Sequence, residues 1–202
     1  MDIFSVSVFK GKQTPYSEDG QTMQRRSFLS LVLAGGTFAL SPRLLAADGA
    51  DFKRFHDFEV GDEALARLDR SPGQWRQYLD EPAWRVLFEE ATERAFSSPL
   101  DKHYEDGSYV CAACYLPLFS SATKYDSGTG WPSFWQAHAW HMGTKQDYKL
   151  IWPRTEYHCI RCGGHQGHIF DDGPNPTGKR WCNNGLALRF VPTDQSLPAL
   201  RG

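Results

Sequence analysis

Residues 159–174 read CIRCGGHQGHIFDDGP. The stretch opens with a CxxC pair, and a second pair, CAAC, lies at residues 111–114, so that 44 residues separate Cys114 from Cys159. Two such pairs supply the four thiolates of a closed tetrahedral zinc site. A metal that joins distant pairs ties two chain segments together, and its binding free energy becomes folding free energy. The sequence therefore predicts one structural Zn²⁺ with four ligands: Cys111, Cys114, Cys159 and Cys162.

Disulfides are the alternative for these four cysteines, because an oxidising compartment favours them. A disulfide within each CxxC would close a very small loop and contribute little to stability. A redox-active CxxC is a further alternative, which predicts redox cycling and no bound zinc. The type and number of ligands favour zinc.

Cys182 is the fifth of five cysteines and lies outside both pairs, downstream of His165 and His168. A single cysteine with histidines elsewhere in the sequence is a candidate nucleophile. Each residue also has an inert interpretation. A lone cysteine is more often buried and unreactive, and the histidines could be turn residues or ligands of a second metal.

Residues 180–191 are predicted to form one strand. Its period of two places Arg180, Cys182 and Asn184 on one face, which continues into the core as Leu186, Leu188 and Phe190. Arg180 is expected to favour the thiolate of Cys182 over the thiol. The nearby imidazoles would supply acid, base and donor groups near neutral pH.

Trp131 follows two closely spaced glycines, Gly128 and Gly130, in residues 123–135, TKYDSGTGWPSFW. Such a turn is typical of an indole presented at a surface or pocket, although the residue could equally be part of the core. An aromatic wall would suit a substrate with an apolar methyl group.

The chain has 202 residues, with 22 basic and 24 acidic groups and 41% hydrophobic residues. This composition is typical of a packed globular protein and unlike a disordered chain or a strongly basic nucleic-acid binder.

The first 47 residues are predicted to be an export signal region. Arg25 and Arg26 precede an apolar run that ends near Leu40, and Ala46-Ala47 offers a small-residue cleavage site. Twin arginines of this kind resemble the twin-arginine export type, which implies a periplasmic protein. The run is too short for a stable membrane span. Met23 lies just before the arginines, so translation is hypothesised to start there, and a precursor that begins at Met1 would contradict this.

Cleavage after Ala47 would leave 17 basic and 21 acidic groups, a net charge of −4. This balance argues against nucleic acid as a partner. We expect an extended lead-in at residues 48–70 and a single domain at residues 71–202. The length suits one domain.

Two short helices are predicted at the start of this domain. Ser71-Pro72 is a typical helix start, and Asp80-Glu81-Pro82 begins a second helix. Strands are predicted after residue 100 from short aromatic and β-branched runs, namely Tyr109-Val110, Leu118-Phe119, Tyr148 to Trp152, Tyr157 to Ile160, and Trp181 to Val191. The expected fold is mainly β, with short N-terminal helices and an antiparallel β domain.

These motifs together resemble the methionine sulfoxide reductase B family, which reduces the R epimer of methionine sulfoxide. The matching stretches are Asp126–Phe134, both CxxC pairs, Gly164–Pro174 and Arg180–Phe190. The resemblance implies a fold of two antiparallel sheets, oxidised proteins or peptides as substrates, and a thioredoxin-like or other thiol reductant. A monomer is expected, although the sequence leaves the oligomeric state open.

The resemblance also implies residue roles. Cys182 is similar to the nucleophile that attacks the sulfoxide sulfur and becomes a sulfenic acid. His168, with His165 and Asp172, is similar to the group that protonates and orients the sulfoxide oxygen. Arg180 resembles the residue that activates the thiolate, and Asn184 matches a polar residue of the same site. Trp131 resembles the wall around the methyl group, and the four CxxC cysteines resemble zinc ligands.

Some positions depart from the family pattern. Thr129 stands where many members have a resolving cysteine, so an external thiol is expected to reduce the sulfenic acid directly. Trp181, Gln166 and Asn183 replace an aromatic and two apolar residues that are more usual there.

Two rival functions remain open from the sequence. A zinc-stabilised β binding module would leave Cys182 incidental and slow to react with alkylating agents, whereas an activated thiolate should react quickly. A thiol–disulfide oxidoreductase would use one CxxC pair and bind no zinc.

Overall fold

The computed structural model describes residues 61–150 and 152–202. The predicted export signal and residues 48–60 of the lead-in lie outside the described residues. Within the described ranges, no helix has the length and apolar character that crossing a bilayer requires.

The described residues form two antiparallel sheets, as the sequence predicts. The smaller sheet has the strand order β2-β1-β9, and the larger has the order β3-β4-β8-β7-β6-β5. Their strands are β1 (Gly107–Cys111), β2 (Pro117–Ser120), β3 (Lys124–Tyr125), β4 (Ser133–Phe134), β5 (Met142–Asp147), β6 (Arg154–Cys159), β7 (His165–Phe170), β8 (Arg180–Asn183) and β9 (Leu188–Pro192).

The two predicted helices form and come before the strands, in agreement with the predicted order. The first is a 3₁₀ helix, Pro72–Tyr78, which begins with a reciprocal capping box between Ser71 and Gln74. An α-helix follows at Glu81–Glu89, where the side chain of Asp80 accepts a hydrogen bond from the backbone N–H of Ala83.

The lead-in contains a helical turn, Asp62–Leu65, that the sequence pattern does not predict. We number this turn α1 and the helix Glu81–Glu89 α2. Arg161 ties the lead-in to the sheets, since its guanidinium donates to the carbonyl of Ala64 and its own carbonyl accepts from the N–H of Leu68.

Aromatic side chains fill the space between the two sheets. Phe119 of β2 stacks on Phe134 of β4, with ring centroids 4.1 Å apart, and Tyr109 of β1 meets Phe134 edge to face at 4.9 Å. Trp181 of β8 packs on Tyr157 at 4.9 Å. Since side chains alternate along a strand, Cys182 and Arg180 point away from this core, onto the other face of the larger sheet.

Two strand predictions are wrong. Residues Tyr148 and Trp152 lie in the turn between β5 and β6, where their side chains are exposed. The strand predicted over 180–191 is broken at Asn183, passes through a 3₁₀ turn at Gly185–Ala187, and continues as β9 in the other sheet. A Cβ at Gly185 would lie 1.8 Å from Ser98 Oγ, so only glycine allows the close approach at which the chain crosses between sheets.

Candidate functional site

The four CxxC cysteines come together as one buried cluster. Their sulfur atoms all lie within 4.8 Å of one another, with Cys111 Sγ 3.6 Å from Cys162 Sγ and Cys114 Sγ 3.5 Å from Cys159 Sγ. Each of these two contacts joins a sulfur of one CxxC pair to a sulfur of the other pair. Both S–S separations far exceed the roughly 2.05 Å bond of a disulfide. Four sulfurs around Zn²⁺ at about 2.3 Å would lie about 3.8 Å apart, so the donor set fits this metal.

Ionisation of these four thiols is coupled. Hydrogen bonds from neighbouring cysteines, foremost that from Cys111, raise the pKa of Cys114 and of Cys162, whereas for Cys111 such bonds outweigh burial and lower the pKa. Four buried thiols cannot all ionise at such short range without a positive charge between them.

Cys182 lies in the middle of the larger sheet. In the strand register it stands opposite Ser133 of β4 on one side and His168 of β7 on the other. Directly opposed residues of antiparallel strands have side chains on the same face, with Cα atoms about 5 Å apart. The half-buried sulfur of Cys182 and the imidazole of His168 are thus neighbours on the face away from the core.

Burial raises the pKa of the Cys182 thiol, and it outweighs the charge of Arg180 and the hydrogen bonds from Thr129 and Arg180, which lower it. Arg180 is itself held by Asp172, whose carboxylate accepts from Nε at 2.8 Å and from a second guanidinium nitrogen at 2.9 Å. Arg180 therefore lowers the pKa of Cys182, as expected, but not enough to make the thiolate the main form. At neutral pH the sulfur keeps its proton before substrate binds.

Two carboxylates that the sequence analysis missed hold the histidines. Asp147 at the end of β5 accepts a hydrogen bond from His168 Nε2 at 2.7 Å, and Glu156 of β6 accepts from His165 Nδ1 at 2.8 Å. The backbone N–H of Lys149, together with His168, keeps the pKa of Asp147 well below its usual range despite partial desolvation. Burial alone would raise the pKa of Glu156, but hydrogen bonds from the histidines outweigh it and lower the pKa to about 2.

The tautomers follow from these ionised carboxylates. A carboxylate only accepts, so His168 has its proton on Nε2 and His165 has its proton on Nδ1. Burial lowers the pKa of His168 more than Asp147 raises it. His168 is consequently a neutral imidazole near pH 7, with Nδ1 available to accept a proton. The two rings lie 5.4 Å apart.

Asn184 is placed behind the site rather than in it. Its amide accepts from the backbone N–H of Glu93 at 3.1 Å and donates to the carbonyl of Gln166 at 3.0 Å. The carboxylate of Glu93, also missed from the sequence, accepts from the N–H groups of Gly185 and Leu186. These contacts position the turn that follows Cys182.

The indole of Trp131 is half-buried, and its Nε1 donates to the carbonyl of Glu93 at 3.2 Å. The turn that contains it lies against β8, since the N–H of Asn183 donates to the carbonyl of Pro132 at 2.9 Å. Thr129 and Trp131 thereby border the strand of Cys182 on the side opposite to His168.

The two unusual residues Gln166 and Asn183 lie in the core and pair with each other. Tyr157 Oη donates to Asn183 Oδ1 at 2.7 Å, Asn183 Nδ2 donates to Gln166 Oε1 at 3.5 Å, and Gln166 Nε2 approaches Cys111 Sγ at 3.6 Å. All three side chains are fully buried. A chain of polar side chains thus links the cysteine cluster to the strand of Cys182.

Asn183→Ala is expected to lower the free energy of unfolding by about 2 to 3 kcal/mol, because it leaves the buried Tyr157 hydroxyl without its acceptor. In a Tyr157→Phe background the same substitution should cost at least about 1 kcal/mol less, since the orphaned group is gone. Urea unfolding of the four proteins measures this coupling. Equal costs in both backgrounds would contradict the network.

Known proteins resemble this chain over the region that contains the site. The model of the SelR domain family matches residues 79–192. The chain is 48% identical over 126 residues to the "Peptide methionine sulfoxide reductase MsrB" of Thiobacillus denitrificans, a match that spans 62% of this chain and 96% of that protein. It is 47% identical over 124 residues to the protein of the same name from Leptospira interrogans, which covers 61% of this chain and 95% of the relative.

A plant relative is also similar. The "Peptide methionine sulfoxide reductase B1, chloroplastic" of Arabidopsis thaliana is 44% identical over 121 residues, or 59% of this chain and 60% of that protein.

Proposed function

The chain belongs to the SelR domain family and is a peptide-methionine (R)-S-oxide reductase, and we propose that it works through a sulfenic acid on Cys182 that an external thiol reduces. The observation that supports this chemistry most is the position of Cys182. It is the one cysteine of the five outside the buried cluster, and it stands directly opposite His168 on the face away from the core.

The first half-reaction consumes one thiol and one sulfoxide. The sulfur of Cys182 attacks the sulfoxide sulfur, the thiol proton moves to the sulfoxide oxygen, and the S–O bond breaks as oxygen passes to the cysteine. Methionine leaves, and Cys182 becomes a sulfenic acid. Sulfur in the substrate is reduced by two electrons, and the cysteine is oxidised by two.

His168 is proposed to move the proton in this step. Its Nδ1 accepts the proton of the Cys182 thiol, whose raised pKa would otherwise hold it, and returns it to the sulfoxide oxygen. Asp147 keeps the ring in the required tautomer through the bond to Nε2. Arg180, aligned by Asp172, stabilises negative charge that develops on the sulfur.

His165, held at Nδ1 by Glu156, is proposed to orient the same oxygen by accepting a hydrogen bond at Nε2 once that oxygen has received its proton. Trp131 is proposed to contact the substrate methyl group, and Asn184 to position the turn after Cys182. The turn of Thr129 and Trp131 and the ring of His168 lie on opposite sides of the sulfur, which supports a substrate bound between them.

The second half-reaction is proposed to need two equivalents of external thiol. These reduce the sulfenic acid to the thiol, release water and become a disulfide. Thr129, which lowers the pKa of the adjacent Cys182 thiol, carries no thiol of its own. The other four cysteines are buried in the cluster. A thioredoxin-like protein or a low-molecular-weight thiol would supply the electrons.

A single turnover without thiol tests this. The protein is expected to release one equivalent of methionine and to react at Cys182 with dimedone, a sulfenic acid reagent, and intact mass and peptide mapping detect the adduct. Thr129→Cys is the matched variant. It places a thiol beside Cys182, so the adduct should disappear in favour of an intramolecular disulfide. A disulfide from Cys182 to another cysteine of the unaltered chain would refute the direct route.

Zinc is the metal proposed for the cluster of Cys111, Cys114, Cys159 and Cys162. Four thiolate ligands leave no open coordination position, so the bound ion would stabilise the fold and take no part in the reaction.

Oxidised proteins are the proposed substrates. We also propose that the protein is exported to the periplasm. The twin arginines, apolar run and Ala46-Ala47 support export through the twin-arginine type of signal. A mature protein whose N-terminus follows Ala47 would agree with this. A monomer is proposed for the mature chain.

A further inference from the structure

Among the residues that the structure describes in the turn between β5 and β6, three large apolar side chains project into solvent. Tyr148 is 74% exposed, Leu150 is 57% exposed and Trp152 is 80% exposed. We call these three residues the hairpin tip. Tyrosine and tryptophan are the side chains that contribute most to binding energy at protein interfaces, because their large rings lose little entropy when they are covered.

The hairpin tip adjoins the face on which Cys182 lies. Asp147 immediately precedes Tyr148, and its carboxylate bonds His168 at 2.7 Å. One row of opposed residues, Cys182, His168, Glu156 and Lys145, crosses the sheet from β8 to β5. Three strand spacings of about 4.8 Å put β5 about 14 Å from the reactive strand.

Charged groups join the two ends of the turn. Arg154 donates to Asp147 at 2.6 Å, and the backbone N–H of Lys149 donates to the same carboxylate at 2.8 Å. Lys149 Nζ also pairs with Glu90, at the end of α2, at 2.5 Å. The strand ends that carry the exposed aromatic groups are therefore tied to each other and to α2, which reduces the entropy that binding would cost.

We propose that the hairpin tip binds apolar residues of an unfolded polypeptide whose sulfoxide is at Cys182. The proposal rests on the proposed function. Methionine is mostly buried in native proteins, so the residues around it are commonly apolar. Oxidation makes the side chain polar and disrupts such a core, which exposes these neighbours. An extended chain covers about 3.3 Å per residue, so the tip would contact a residue about four to six positions from the sulfoxide.

Trp140 supplies the matched control. It is 84% exposed but lies just before β5, at the end of that strand opposite to Asp147. Six strand residues, or about 20 Å, separate the two ends. If exposure of tryptophan alone mattered, Trp140→Ser and Trp152→Ser would behave alike.

Two sets of substrates test the inference on the full-length protein. One is N-acetyl-methionine-(R)-sulfoxide, which is too short to reach the tip. The other is a pair of twelve-residue peptides with a central (R)-sulfoxide, one with leucine and phenylalanine at both ends and one with serine there. We expect kcat/KM to favour the apolar peptide by roughly tenfold. Trp152→Ser and Tyr148→Ser should reduce this preference to less than about twofold, with unchanged kcat/KM for the short substrate, while Trp140→Ser retains it.

Each other outcome counts against the inference. An unaltered protein that reduces N-acetyl-methionine-(R)-sulfoxide without preference between the peptides would refute the tip as a substrate surface but leave the proposed function intact. No reduction of any (R)-sulfoxide would refute the proposed function itself. A Trp152→Ser protein that keeps the preference but changes its sedimentation coefficient would identify the tip as a contact between copies of this chain instead.

Discussion

Cys182→Ser is expected to lower kcat/KM for (R)-sulfoxides by at least about a thousand-fold. The hydroxyl is a far weaker nucleophile toward sulfur than a thiol, and it cannot form a sulfenic acid. Residual binding and proton transfer groups would remain in place. An assay with separate R and S epimers of a blocked methionine sulfoxide, with dithiothreitol as reductant, measures the effect.

The control for this substitution is a measurement that the variant still folds and binds metal. Serine is nearly isosteric with cysteine, and Cys182 is only half-buried. Metal content and the urea midpoint should therefore match those of the unaltered protein. Turnover retained in the serine variant would rule out Cys182 as the nucleophile and would return the zinc-stabilised binding module to consideration.

Alkylation rate is a weaker discriminator than the sequence suggests. A fast reaction at neutral pH was expected of a nucleophile that Arg180 ionises. Burial raises the pKa of the Cys182 thiol, so the reactive thiolate is scarce at pH 7 and increases toward alkaline pH. A catalytic and an incidental cysteine would both react slowly, and epimer-specific turnover has to distinguish them.

Cys114→Ser is expected to produce the largest loss of stability. A structural zinc contributes roughly 10 kcal/mol of folding free energy, whereas a domain of this size is stable by about 5 to 15 kcal/mol. Loss of one of four buried thiolates should release the metal and leave most of the protein unfolded at room temperature. Metal analysis together with near-ultraviolet circular dichroism measures both effects.

The contrast between the two serine variants separates structure from chemistry. Cys114 and Cys182 differ in location, since Cys114 is completely buried beside Cys159 and Cys182 is half-buried on the face of the larger sheet away from the core. Cys114→Ser should lose metal and fold together, and Cys182→Ser should lose only turnover. A Cys114→Ser protein with native spectrum and full metal content would contradict the assignment of the cluster.

The sequence predicted the class of fold and several of its elements. The helix starts at Ser71 and Asp80 were visible because capping is local chemistry within four residues. The prediction of one strand over 180–191 was wrong because alternation of side chains along the sequence cannot reveal that the chain moves from one sheet to the other. The break at Gly185 depends on Glu93 and Ser98, which lie more than 80 residues away in the chain.

The carboxylates of the site show the same limit. Asp147 on β5 reaches His168 on β7 across the one intervening strand, β6, and its identity as the partner depends on the register of these three strands. A carboxylate at the end of a polar strand gives no sign of this in the sequence. Alternating polarity along β6 could have marked Glu156 as lying on the same face as His158, but it could not have named the histidine that it holds.

The amino-acid sequence alone determined the four thiols that cluster and the fifth that stands apart, because CxxC spacing and a count of cysteines are properties of short segments. The tertiary structure decided which acids support the histidines, where the aromatic hairpin tip lies, and how far burial opposes ionisation of Cys182. Those features are sums of contacts between strands distant along the chain, and the strand register that brings them together is set by packing of the whole core.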